Sequence, residues 1–155
     1  STASERYKGF DLGMKYHQLP VKAEWIQTGN FRREGGYTAM RNILQQNDRP
    51  TAVICANNLM SLGALQAIYE SKLRIPEDIS IVGFDDMPWA PALHPPLTVI
   101  AQPIHEMGLI ASRLLLEKIK NPSSFAQHVI LDTRLIVRDS VCPPAGQVSS
   151  RNSRE

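Results

Sequence analysis

The sequence predicts an α/β fold built on a largely parallel sheet. Three short apolar runs, residues 51–56, 79–84 and 98–101, are set among segments of helical periodicity. That is the pattern of strands covered on both faces. Each run leads into a polar side chain: Asn57, Asp85 and Gln102. Ligands of open parallel sheets bind outside the carboxyl ends of the strands, so these three residues are expected along one rim. The order α-β-α-β-α-β, then β-α-β-β, fits three layers, helix on sheet on helix.

The elements follow in order. Ser1 or Thr2 can cap a helix over residues 1–18, with Tyr7, Phe10 and Met14 on one face and Pro20 beyond its end. Residues 21–27, with Trp25 and Ile26, read as a strand, and 28–31 as a loop. A helix over 32–46 presents Tyr37, Met40 and Leu44 inward, and the turn 47–50 opens the next strand. The helix over 58–71 carries Leu59, Met60, Leu62, Ala64, Leu65, Ala67, Ile68 and Tyr69, which leaves almost no polar face. A helix apolar all round is covered on two sides. One side is assigned to the sheet and the other to a second subunit. Residues 72–78 turn into the strand 79–84. Four prolines make 87–96 an ordered, irregular connection. Pro103 suits the first turn of a helix over 104–120, with Met107, Ala111, Leu114, Leu115 and Ile119 in one stripe. Two short strands, 128–131 and 134–137, complete the fold, and the Pro- and Ser-rich stretch from Ser140 is expected to be a disordered tail. A chain that opens on a helix with no strand before it reads as part of a longer protein.

A length of 155 residues, with 43% hydrophobic and 21% charged content, is ordinary for a globular domain with a real core. A net charge of +2 argues for neither nucleic acid nor membrane as a direct partner. No apolar stretch approaches the roughly 20 residues needed to span a bilayer. Cys55 lies in an apolar run and Cys142 in the tail, which reads as a buried hydrophobe plus an exposed thiol in a reducing cytoplasm.

Asp85-Asp86 is the sharpest chemical signal. A carboxylate at a strand end accepts charge-assisted hydrogen bonds from ligand hydroxyls or ring N–H groups. Asp86 reads as the cap of the next turn. Neighbouring side chains on extended backbone point oppositely, which argues against a general acid/base dyad. Asn57 either orients a hydroxyl through its paired donor and acceptor or caps the following helix, a task for which Asn58 competes. Gln102 either bonds a ligand or satisfies backbone between strand and helix. Phe31 either stacks on a ring or packs against Tyr37. Arg6 sits in a first helical turn, where the dipole disfavours a cation. Its partner is then Asp85 or a ligand, unless it is a solvated neighbour of Glu5. The four histidines, His17, His94, His105 and His128, have no Cys or carboxylate at metal-ligand spacing. Neither a phosphate loop nor a nucleophile elbow is present. No metal, no cofactor and no catalysis are expected.

Arg49-Pro50-Thr51-Ala52-Val53-Ile54-Cys55-Ala56-Asn57-Asn58 and Met60-Ser61-Leu62-Gly63-Ala64-Leu65 resemble the lactose/galactose repressor (LacI/GalR) family. So do Ile75-Pro76-Glu77-Asp78-Ile79-Ser80-Ile81-Val82-Gly83-Phe84-Asp85-Asp86, Gln102-Pro103 and Arg134-Leu135-Ile136-Val137-Arg138-Asp139-Ser140. The resemblance implies the C-terminal part of a type I periplasmic-binding-protein-like effector domain over residues 1–140. Residues 103–120 would belong to an otherwise missing N-terminal subdomain, with 141–155 as tail. It further implies that Arg6 contacts effector, that Phe31 stacks on a sugar or base ring, and that Asn57 and Asp85 bind hydroxyls or ring nitrogens. Gln102 would border the same cleft. Leu59, Met60, Leu62, Gly63 and Gln66 would lie in a homodimer interface. The effector is expected to be a sugar or polyol, with a purine second. Operator DNA would be met only through a helix-turn-helix headpiece outside these residues. Asn58 departs from the aspartate common in the family. A periplasmic sugar-binding protein of a transporter shares the fold but needs an export signal and works as a monomer. A small sugar hydrolase needs a base or nucleophile beside Asp85, and none is visible.

Overall fold

Val53 lies opposite Ile81 on neighbouring strands, and Gly83 opposite Val99, so apolar side chains form one continuous face across the sheet. In the computed structural model, which describes residues 2–144, the strands are β1 (Ala52–Ile54), β2 (Ser80–Phe84), β3 (Thr98–Ala101) and β4 (Arg134–Ile136). They stand in the order β1-β2-β3-β4. The first three are parallel and β4 is antiparallel to β3. The fold is α/β, with helices α1 (Thr2–Tyr16), α2 (Arg33–Leu44), α3 (Asn58–Glu70) and α4 (Ile104–Lys120).

The core lies on one face of this sheet. Ala64, Leu65, Ala67 and Ile68 of α3 pack with Ile79, Ile81 and Val99, while Met40 and Ile43 of α2 extend the same cluster. From the 87–97 connection, Ala90 and Leu97 are buried in it. Two glycines set how closely α2 and α3 approach. A Cβ on Gly63 would lie 2.0 Å from the Arg33 carbonyl oxygen, and one on Gly36 would lie 2.4 Å from that of Met60. The second side of α3 is therefore covered by α2 of the same chain. An apolar periphery shows that a helix is covered twice, not by what, so it does not by itself place a second subunit on α3.

The opposite face carries Ala52, Ile54, Phe84 and Ile100, and α1 runs over it without seating. No residue of α1 is buried. A cleft of about 1080 Å³ separates α1 from the sheet, bordered by Phe10, Ile26, Ile54 and Ile100 among others. Residues 21–27 do not pair with β1, and Trp25, Ile26 and Gln27 border the same cleft. The segment forms a 3₁₀ turn, Ala23–Trp25, flanked by extended backbone at Lys22 and Ile26. The strand expected there is absent, because an extended segment becomes a strand only beside a partner. The Trp25 indole N–H donates to the Asp48 carbonyl (2.9 Å) and Lys22 pairs with Asp48, which holds the segment in place.

Residues 128–131 also form no strand, and Ile130 is 80% exposed. Helix α4 has no buried residue. Its apolar stripe, including Met107, Leu115 and Ile119, faces solvent. The start of the expected tail is tied down. Ser140 is buried, its hydroxyl donating to Ile81 O (2.6 Å) and accepting from Thr98 N (2.8 Å), and Cys142 N donates to Ser80 Oγ (3.1 Å). The rest of that tail lies outside the described residues. Both cysteines are free, and burial pushes the Cys55 thiol up to about 12, in keeping with a small core hydrophobe.

Candidate functional site

The carboxyl ends of β1, β2 and β3 carry the three polar residues expected there; Phe31 joins them by bonding Asn57, and Arg6 by contacting their neighbours Ala56 and Phe84. Asn57 is the N-cap of α3: its Oδ1 accepts from Met60 N at 2.9 Å. Its Nδ2 donates to the Phe31 carbonyl at 3.1 Å. The capping reading of Asn57 is therefore what the structure contains, and the same amide fixes the 28–31 loop to the strand end.

Arg6 spans the gap between β1 and β2. Its Nη1 donates to the carbonyl of Ala56, beside Asn57, and its guanidinium carbon stands 3.8 Å above the centroid of the Phe84 ring, beside Asp85. The partner that a cation in a first helical turn called for is thus a backbone carbonyl and an aromatic face. Its ring partner, Phe84, was not singled out from sequence; a lone aromatic closing an apolar strand gave no signal beyond core packing.

Asp85 takes φ 71°, a left-handed conformation that Asp tolerates better than most residues. The turn is held by Asp85 N donating to Ile100 O at 2.9 Å and by Gln102 Nε2 donating to Asp85 Oδ1. Asp86 turns away, and Arg138 Nη2 lies 2.8 and 2.9 Å from its two carboxylate oxygens. The two aspartates therefore serve different partners. The expectation that Asp86 caps a turn is replaced by an ion pair across the sheet.

Phe31 is 41% exposed and has φ 56°. It does not pack into the core with Tyr37, whose hydroxyl instead donates to Glu70 at 2.7 Å. Arg6, Phe31 and Gln102 border the cleft directly; Asn57 and Asp85 each lie one residue beyond its lining residues Ala56 and Phe84. Contacts thus run from Phe31 to Asn57, past Ala56 to Arg6, over Phe84 to Asp85 and on to Gln102. The rim offers acceptors from carboxylate and amide, donors from amide and guanidinium, and one exposed ring. Among the described residues, no cluster of His, Cys, Asp and Glu could hold a metal ion.

The family of periplasmic binding protein-like domains matches residues 1–141. The chain belongs to that family. Among curated proteins it is 41% identical to an HTH-type transcriptional repressor PurR of Photorhabdus laumondii, over 91% of this chain and 41% of that one. It is 38% identical to a ribose operon repressor of Haemophilus influenzae, over 91% and 42%. A LacI family transcriptional regulator of Enterococcus faecium with bound ribose superposes with a TM-score of 0.79 at 31% identity, covering 89% of this chain and 51% of that chain. The periplasmic binding protein-like chain thus spans about two fifths of the length of the curated repressors it matches.

Of the predicted interface residues, Gly63 is buried against α2, and Met60 packs on the core cluster. Gln66 accepts from Arg33 Nη2 (2.9 Å) and donates to Glu70 (2.8 Å). Leu59 and Tyr69 are exposed, with Leu62 and Gln66 half-buried between them.

Proposed function

We propose that this chain is the effector-binding part of a LacI/GalR-type transcriptional regulator, with the ligand held at the rim formed by Arg6, Phe31, Asn57, Asp85 and Gln102. The observation that carries the reading is the set of contacts that gathers those five residues at the carboxyl ends of parallel strands, with Arg6 tied in through Ala56 and Phe84, the neighbours of Asn57 and Asp85. Such a rim suits a small polyhydroxylated molecule: directional polar groups fix its hydroxyls and Phe31 offers a ring face. A sugar is the first choice, in line with the ribose bound by the E. faecium regulator. A purine is second, in line with the PurR relative. Asp85 and Asp86 serve separate partners, which supports a binding role over acid/base chemistry at this rim. In the whole regulator the ligand would favour one arrangement of the domain over another and so alter DNA affinity through a headpiece. As part of a DNA-binding regulator the protein would work in the cytoplasm. No helix among the described residues is long and apolar enough to cross a membrane.

Dimerisation is part of the same reading, with its surface narrowed to the stripe Leu59, Leu62, Gln66 and Tyr69 on α3. Sedimentation velocity should give a dimer that Leu62→Glu converts to monomer; a wild-type monomer at micromolar concentration removes this element. The ligand site is tested by thermal shift with ribose and with hypoxanthine. One of them should raise the melting temperature of the wild-type chain and leave Asp85→Ala unmoved. Equal stabilisation of both proteins rejects the site.

A further inference from the structure

Arg138 lies just beyond β4, in a segment with no assigned role, yet its side chain joins three separate parts of the fold. Its Nη2 lies between the two carboxylate oxygens of Asp86, at 2.8 and 2.9 Å. Its Nη1 donates to the Leu97 carbonyl at 2.7 Å. Its backbone is clasped by the Thr98 hydroxyl, which accepts from Arg138 N (2.9 Å) and donates to Arg138 O (3.1 Å). The Arg138 side chain is only 17% exposed and that of Asp86 28%, so water competes weakly for the pair. One guanidinium therefore fixes the turn after β2 to the start of β3 and to the end of β4.

That turn contains a left-handed residue of the rim. Asp tolerates φ 71° better than most residues, but the conformation is uncommon and draws support from its surroundings. Asp85 is held on one side by Ile100 O and Gln102. On the other side the next residue along the chain is held by Arg138 alone among the described charged groups. We infer that Arg138 is a positioning residue: through Asp86 it fixes the left-handed turn that aims the Asp85 carboxylate at the rim. The inference rests on the proposed ligand site for its functional meaning, but the mechanical claim stands apart from it. It also places the chain returning from α4 in register with the ligand rim. A displacement of β4 would then be felt at Asp85 through this ion pair as well as through β3, whose Ile100 pairs with Leu135 and accepts from the Asp85 amide.

Amide hydrogen exchange followed by NMR on the whole chain tests it without a ligand. In Arg138→Gln, and independently in Asp86→Asn, exchange at the Asp85 amide should rise about tenfold, while Val82 in the middle of β2 changes little. Two variants are used because either alone could fold poorly. A uniform rise across β2 means that the pair serves general stability only, and an unchanged Asp85 amide means that it does not hold the turn; either result overturns the inference. A ribose or hypoxanthine titration of the same variants adds the second arm. If the wild type binds, both variants should bind more weakly, and unchanged affinity overturns the positioning role. If the wild type binds neither, the ligand reading fails, while the exchange result still decides what Arg138 does.

Discussion

The Arg6 guanidinium lies 3.8 Å above the ring of Phe84 and donates at the same time to the carbonyl of Ala56. This is a point contact between a helix with no buried residue and two strand ends of the sheet. A cation over a ring contributes roughly 0.5–2 kcal/mol, according to how dry the site is. Arg6→Ala should therefore release α1 without unfolding the sheet. Hydrogen exchange is expected to lose protection across α1 and keep it in β2 and β3. Protection retained in α1 would show that other contacts hold it.

The α2–α3 notch gives a second prediction. Gly63→Ala forces a methyl against the Arg33 carbonyl and should destabilise the chain by about 1–3 kcal/mol. Gly13→Ala is the control, since nothing lies within 4 Å of the added carbon. There the helix gains propensity, so stability should hold or rise slightly. Urea denaturation of both variants reads the contrast.

A third prediction concerns acid. Arg74 donates to Asp78 from its main chain (2.8 Å), Nε (2.9 Å) and Nη2 (2.7 Å), holding the carboxyl well below the usual carboxylate range. A group whose folded value is depressed contributes stability that is complete above its unfolded value, about 3.9 for Asp, and that is lost as pH falls through and below it. The hydrogen bond from Tyr37 lowers Glu70 in the same direction. The urea midpoint should thus fall on acidification below about pH 5, and Asp78→Asn should flatten that fall. Parallel slopes for the two proteins would assign the acid sensitivity elsewhere.

How much of this was legible in the sequence depends on the range of the force involved. The strand ends at Asn57, Asp85 and Gln102 could be read because strand direction and period are local properties of three apolar runs. The capping of α3 by Asn57 was legible for the same reason. Residues 21–27 and 128–131 looked like strands because their composition favours extended backbone, but a ladder needs a neighbour, and composition does not supply one. The packing of α2 on α3 was not legible, because a notch made by Gly36 and Gly63 exists only once two helices meet. Arg138 escaped notice since its partners, Asp86 and Leu97, are 52 and 41 residues away in the chain.

The most direct test of the ligand rim is an NMR titration of the isotopically labelled chain with ribose, repeated with hypoxanthine. The account predicts concerted shifts of the Phe31, Asn57, Asp85 and Gln102 amides with one ligand, abolished by Asp85→Ala. Shifts confined to α4 or to the α3 stripe, or no shift with either ligand, would contradict it.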